Sequence, residues 1–101
     1  MEALDIKVLD LKKASLFYRA INHKLRQQVL HLIHKNGEMI VTDIYVKLRI
    51  EQSVASQHLA ILRRADLVKT RREGKKIIYS VNYDQIEQLH AHAADLNKVL
   101  V

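Results

Sequence analysis

Apolar residues recur at steps of three and four near both ends of the chain, which is the spacing of one helical face. The first pattern predicts a helix over about residues 6–21, with a second apolar stripe that widens its apolar arc. The pattern near the other end predicts a helix over about residues 83–100. Its apolar residues alternate spacings of three and four and form a seam, a narrow stripe of the kind through which two helices pack together. This seam could pack within its own chain, but the apolar excess of the first helix favours a contact between two copies. The predicted dimer-interface residues are Val8, Leu11, Ile86, Leu89, Ala93, Leu96 and Leu100.

Capping residues and a glycine divide the region between these two helices. Asn22 is predicted to cap a helix that ends at Gly37, and residues 38–41 form a short extended link. Thr42 is predicted to open a short helix, and Ser53, after a turn, to cap a longer helix that ends near residue 65. The longer helix has an apolar stripe of Ala55, Leu59 and Leu62, and an opposite side of Ser53, Ser56, Gln57, Ala60, Arg63 and Arg64.

The hydrophobic period changes over residues 67–81. Two extended runs flank a tip that contains Gly74, and Ile77, Tyr79 and Val81 share one face of the second run, which predicts a β-hairpin. The short helix, turn and polar-faced helix over about residues 42–65 fit a helix-turn-helix motif. The expected fold is therefore mainly α with a small β-hairpin, in one domain over residues 1–101.

The positive charge of the chain is concentrated in this central part. The formal net charge is +6, and residues 47–76 alone hold nine basic and three acidic side chains. An α-helix fits the major groove of DNA, where Gln can pair with adenine and Ser with a base or a phosphate, whereas a basic hairpin suits the phosphate backbone. The candidate DNA-reading residues are Gln52, Ser53, Ser56, Gln57, His58 and Arg63, and the candidate backbone contacts in the hairpin are Thr70, Arg71, Arg72, Lys75 and Lys76.

Three segments resemble the ArsR/SmtB family of bacterial repressors: residues 52–59 (QSVASQHL), 62–68 (LRRADLV) and 71–79 (RREGKKIIY). The family typically has Q-S-x-x-S-x-H-L, L-x-x-A-G-L-V and R-R-E-G-R-x-x-x-Y there, so Asp66 replaces a usual glycine. The resemblance implies a winged-helix homodimer that binds an imperfect palindrome in double-stranded DNA and usually represses its own operon. It implies that the terminal helices form the dimer interface. It also puts His58 on the recognition helix, where it either contacts DNA or holds that helix by a hydrogen bond to the scaffold.

Several other function classes lack their residues. The absence of Cys excludes disulfides, thiolate catalysis, thiol redox sensing and Cys-containing metal sites. No nucleophile–base pair, glycine-rich phosphate loop or carboxylate pair indicates an enzyme, and no cofactor is expected. The apolar runs are far shorter than the roughly 18–20 residues of a membrane-spanning helix, and no secretory signal is recognisable, so we expect no membrane partner and a cytoplasmic location.

Two alternatives stay open beside DNA binding. One is a winged-helix module that binds a protein, for which an apolar recognition face would be expected. The other is a metal sensor with a nonstandard site. The family's cysteine site has no thiol at residues 39–44, and only Asp84 of its last-helix ligand set is present. A nonstandard site would draw on His31, His34, His90, His92 or Asp95, although His90 and His92 lie about 200° apart on a helix. The effector and the operator are not predicted.

Overall fold

The computed structural model describes the backbone of residues 8–100, together with the side chains of Lys12 and of residues 14–94. The fold is a winged helix-turn-helix, mainly α with a small antiparallel sheet whose strand order is β1-β3-β2. In the described residues, no helix combines the length and apolar character needed to span a membrane. The elements are α1 (Val8–Ile21), α2 (Lys24–Asn36), β1 (Met39–Ile40), α3 (Val41–Leu48), α4 (Gln52–Arg64), β2 (Val68–Glu73), β3 (Lys76–Val81) and α5 (Tyr83–Leu100).

The predicted hairpin is confirmed as β2 and β3, but its sheet has a third strand. The link over residues 38–41 contains β1, in which Met39 pairs with Tyr79 and Ile40 with Ile78. This pairing closes one edge of the hairpin and attaches it directly to the start of α3, since β1 and α3 are contiguous. The wing is therefore anchored to the helix-turn-helix and does not project from it as an isolated ribbon.

The predicted helix caps are wrong at three positions. His23, not Asn22, is the N-cap of α2, and its Nδ1 accepts a hydrogen bond from the Leu25 backbone N–H at 3.2 Å. Helix α3 follows Ile40 and helix α4 follows Glu51, neither with a side-chain cap. For α3 the reason is tertiary: the pairing of β1 with β3 fixes where the chain enters the helix. Thr42 and Ser53 lie inside the first turns of their helices and are exposed.

The core lies beneath α4, where α2, α3 and the base of the wing meet. The predicted apolar stripe of α4 is confirmed: Ala55 and Leu62 are fully buried, and Leu59 is 1% exposed. All six residues predicted for the opposite side are exposed. The largest fully buried side chains are Ile33, Ile44, Leu59, Leu62, Leu67 and Val29. Helix α4 thus buries one face and presents the other to solvent.

Two left-handed residues end the helices of the helix-turn-helix. Arg49 follows α3 with φ 56°, and Asp66 follows α4 with φ 59°. At the second site the Asp66 N–H donates to the Arg63 carbonyl at 3.0 Å and the Leu67 N–H to the Leu62 carbonyl at 2.9 Å. This pair of bonds is a Schellman motif, which reverses the chain sharply at a helix end. The turn takes the chain from α4 straight into β2.

The terminal helices pack partly on the core of their own chain. Phe17 of α1 and both Ile86 and Leu89 of α5 are half-buried against it, and Ala93 is also half-buried. An open cleft of about 210 Å³ remains between α1 and α5, lined by residues that include Ala14, Phe17 and Leu89. The predicted interface residues Val8, Leu11, Leu96 and Leu100 lie outside the described side chains.

Candidate nucleic-acid interface

The exposed face of α4 carries the predicted reading residues. Ser53, Ser56 and Gln57 lie in its first two turns, and Arg63 lies in its last turn. All are exposed, as is Gln52 at the first position of the helix. The face combines hydroxyl and amide groups that donate and accept hydrogen bonds with cations in its last turn, Arg63 and Arg64. Such a face can contact base edges and phosphates in a DNA groove.

His58 is not part of that exposed face. It is half-buried, its ring stacks at a tilt on His23 with centroids 4.8 Å apart, and its Nδ1 lies 3.3 Å from Nη1 of Arg26. The hydrogen bond to the scaffold, one of the two sequence alternatives, is therefore present. Burial lowers the pKa of His58 below its ordinary 6.5, and the charges on His23 and Arg26 lower it further. The neutral imidazole is the form that this environment favours.

The wing presents basic side chains along both strands and at its tip. Arg71, Arg72, Lys75 and Lys76 are exposed, while Thr70 is half-buried and pairs across the strands with Tyr79. Arg72 Nε donates to the Gly74 carbonyl at 3.2 Å, which fastens the cation to the tip. Gly74 itself has φ 61°, as a tight turn requires. The tip therefore carries positive charge on a defined scaffold.

Arg71 is engaged within the protein. Its guanidinium pairs with Glu38 and, at 3.2 Å, with Glu73. The hydrogen bond to Arg71 lowers the pKa of the Glu38 carboxyl, and the same bond raises the pKa of Arg71. The sequence interpretation missed Glu38, because it precedes its partner Arg71 by 33 residues. The Arg71–Glu38 pair links the wing to the segment that leads into β1. Because carboxylates partly neutralise Arg71, its guanidinium should attract a phosphate less strongly than that of Arg72.

A groove of about 330 Å³ separates α3 and α4 from the wing. Ser56 of α4, Thr42 of α3 and the two tip lysines Lys75 and Lys76 line it together. The sequence interpretation treated Thr42 only as a helix cap and so missed it as a residue of this groove. In the structure α3 begins at Val41, directly after β1, and Thr42 is exposed in its first turn. The rest of the lining is Ile40, Val41, Ile77 and Tyr79, so the groove offers hydroxyl and ammonium groups to a phosphate beside a largely apolar wall.

Two histidines outside α4 make contacts between helices. Nδ1 of His34 lies 2.8 Å from the Tyr83 hydroxyl, and Nδ1 of His92 lies 2.8 Å from the Tyr18 hydroxyl. His31 and His90 are exposed. Across the part of the chain that the structure describes, no three His, Asp or Glu side chains come together as a metal site. The side chain of Asp95 lies outside that part.

Comparison with known proteins agrees with this geometry. Residues 23–70, from α2 into β2, match the family described as bacterial regulatory protein, arsR family. The transcriptional activator HlyU of Vibrio cholerae is 34% identical over 77 residues, which are 76% of this chain and 70% of that protein. The crystal structure of the transcriptional repressor PagR of Bacillus anthracis has a TM-score of 0.65 and 29% identity, covering 75% of this chain and 86% of that one.

A third comparison concerns assembly. The solution structure of a homodimeric winged helix-turn-helix DNA-binding domain from Mycobacterium bovis, a possible ArsR-family transcriptional regulator, matches with a TM-score of 0.76 and 26% identity. It covers 96% of this chain and 90% of that one, so the likeness extends over nearly the whole chain.

Proposed function

The chain belongs to the ArsR family of bacterial transcriptional regulators, and we propose that it represses transcription as a homodimer bound to a pseudo-palindromic DNA operator. The observation that carries the proposal is the pairing of an exposed polar helix face with a basic wing across one groove. On this proposal the protein acts by binding alone, without a cofactor or a catalysed reaction.

The two parts of the interface would have different roles. Gln57 and Ser56 would contact base edges from α4, whereas Arg72, Lys75 and Lys76 would contact phosphates from the wing. Base contacts carry sequence information, while phosphate contacts supply affinity that falls as salt rises. The local excess of basic over acidic side chains in residues 47–76 supports this reading, because it coincides with α4 and the wing.

The homodimer is proposed from the terminal helices. The cleft between α1 and α5 is open in one chain and includes the apolar side chains of Ala14, Phe17 and Leu89 beside polar ones, and the Mycobacterium bovis relative is homodimeric. Two copies related by a two-fold axis would present two α4 helices to half-sites about one helical turn, roughly 10 base pairs, apart. Partner contacts are expected at Val8, Leu11, Ile86, Leu89, Ala93, Leu96 and Leu100.

The test compares Gln57→Ala with Arg72→Gln on two duplexes. One duplex carries the region upstream of the protein's own gene and the other a scrambled sequence of equal length, each titrated at several salt concentrations. We expect Gln57→Ala to weaken operator binding by about 1–3 kcal/mol and leave the scrambled duplex unchanged. Arg72→Gln should weaken both duplexes alike and reduce the salt slope by about one, from near −5 if about six phosphates are neutralised.

Two exposed residues on α2, away from the exposed face of α4, the wing and the proposed dimer contacts, provide matched controls, namely Gln28→Ala and Lys35→Gln. Equal loss of specificity from Gln57→Ala and Arg72→Gln would refute the division of roles. Absence of any operator preference in the unmodified protein would refute the proposed function. Because HlyU is a named activator, a reporter fused to the upstream region decides direction: expression should fall when the protein is present.

A further inference from the structure

We infer that Arg26 is a positioning residue for the reading helix: through His58 it fixes the rotation of α4 about its own axis. This inference rests on the proposed function, because the quantity it controls is the placement of the α4 polar face against base edges. Arg26 lies on α2 and touches neither the exposed face of α4 nor the wing in the contacts that the structure describes.

The guanidinium of Arg26 is buried at the junction of three helices. Arg26 is 7% exposed, and it is the one buried charged residue among the described side chains. Its Nε donates to the Ala20 carbonyl at 2.6 Å and its Nη2 to the Arg19 carbonyl at 2.8 Å. Both carbonyls belong to the last turn of α1, the negative end of that helix dipole. These contacts hold the fork of the guanidinium in one orientation.

The third contact reaches α4. Nη1 of Arg26 donates to Nδ1 of His58 at 3.3 Å, so one rigid group joins the end of α1 to the reading helix. Helix α4 also packs on the core through Ala55, Leu59 and Leu62, and hydrophobic contacts of this kind are not directional. A hydrogen bond is directional, and His58 directly follows Gln57 along the helix. Rotating α4 would therefore break this bond and displace the Gln57 amide from its base.

The bond requires a neutral His58. Every guanidinium N–H is a donor, so Nδ1 must offer its lone pair, and the ring proton must then reside on Nε2. The charged or titratable groups in contact with the ring are His23 before α2 and Arg26 on α2. None of the α4 residues three or four positions away is titratable; they are Val54, Ala55, Ile61 and Leu62. Since the pKa of His58 lies below 6.5, the bond persists at neutral pH and is lost only as the pH falls through that lowered pKa.

The experiment measures the ratio of operator to scrambled-duplex affinity for four proteins: the unmodified chain, His58→Asn, His58→Leu and Arg26→Met. Asn offers an acceptor oxygen close to the position of Nδ1 but does not titrate, whereas Leu offers no acceptor. At about pH 7.5 we expect the ratio to fall roughly tenfold in His58→Leu and Arg26→Met, the effect of one lost hydrogen bond to a charged group. His58→Asn should stay within about threefold of the unmodified chain.

The pH dependence of this affinity ratio distinguishes a positioning role of His58 from a role in folding alone. Lowering the pH through the pKa of His58, which lies below 6.5, should reduce the ratio in the unmodified chain and leave it flat in His58→Asn. The exposed His31→Asn on α2 is the matched control and should keep the pH dependence. A ratio that His58→Leu leaves unchanged would overturn the inference, and so would a loss in His58→Asn as large as in His58→Leu, because His58 would then act through DNA contact.

A measurement without DNA keeps the inference separate from the proposed function. Nitrogen NMR of the imidazole rings should find His58 Nδ1 as the unprotonated acceptor at neutral pH, and Arg26→Met should raise the pKa of His58, because it removes a nearby positive charge. If the unmodified protein shows no operator preference while this NMR signature is present, the proposed function fails and the Arg26–His58 contact stands. If Nδ1 carries the proton, the inference itself is wrong.

Discussion

Replacing Asp66 with glycine is expected to stabilise the protein, because Asp66 adopts a left-handed conformation with φ 59°. That conformation costs an ordinary L-residue roughly 1–2 kcal/mol, and somewhat less for Asp, whose short side chain tolerates it. The carboxylate also follows the C-terminus of α4, where the helix dipole disfavours negative charge. Against these gains stands the larger entropy of unfolded glycine. The net expectation for Asp66→Gly is about 0.5–1 kcal/mol of added stability.

The contacts around Asp66 allow this effect to be isolated. Its N–H donates to the Arg63 carbonyl, and its carbonyl accepts from Nδ2 of Asn82 at 2.8 Å. Both bonds use the backbone of residue 66 and survive any substitution that keeps the turn. Asp66→Asn should gain a few tenths of a kcal/mol by removing the charge. Asp66→Val should lose about 1–2 kcal/mol, because a β-branched residue fits the left-handed region poorly.

Urea unfolding followed by circular dichroism measures the series Gly, Asn, Asp, Val. All variants are compared at one protomer concentration, since association would add to the apparent stability. In thermal melts the melting temperature of Asp66→Gly should lie about 2–8 °C above that of the unmodified chain, because 1 kcal/mol of stability shifts it by about 4–8 °C in a domain of this size. A valine variant as stable as the unmodified chain, or a glycine variant less stable than it, would refute the assignment of a strained residue to this turn.

Two further predictions concern the wing and the core. Glu38→Gln should strengthen binding to any duplex and steepen its salt slope by at most about one, because Arg71 loses one of its two carboxylate partners and keeps Glu73. Glu87→Gln on α5 is the control, and an unchanged slope would contradict the prediction. The Glu38–Arg71 ion pair should be intact at neutral pH, because the pKa of the Glu38 carboxyl lies below 4.5. The pair should be lost only when the pH falls through that lowered pKa. Leu62→Ala should lower the free energy of unfolding, measured in urea, by about 2–5 kcal/mol, because Leu62 is fully buried. The control Val46→Ala, at a side chain that is 61% exposed, should change it by no more than about 0.5 kcal/mol. Similar losses in the two variants would contradict the assigned core.

Local periodicity predicted the parts of the site that depend on one helix or one hairpin. The buried face of α4 and its exposed polar face follow from the helical repeat of Leu59 and Gln57 with their neighbours. Gly74 marked the hairpin tip, and it adopts the left-handed conformation there. The identification of the family likewise came from local segments of α4 and the wing. DNA contacts by individual residues and the dimer interface stay predictions.

The amino-acid sequence by itself therefore determined the elements, the polarity of the reading helix and the location of the positive charge. Only the tertiary structure decided which side chains fix those elements relative to one another. Arg26 and His58 are 32 residues apart, and Glu38 and Arg71 are 33 apart. Neither pairing leaves a periodic signal, because each depends on how helices and strands pack after they have formed. The same packing extends the wing with β1 and makes α3 begin before its expected cap, Thr42.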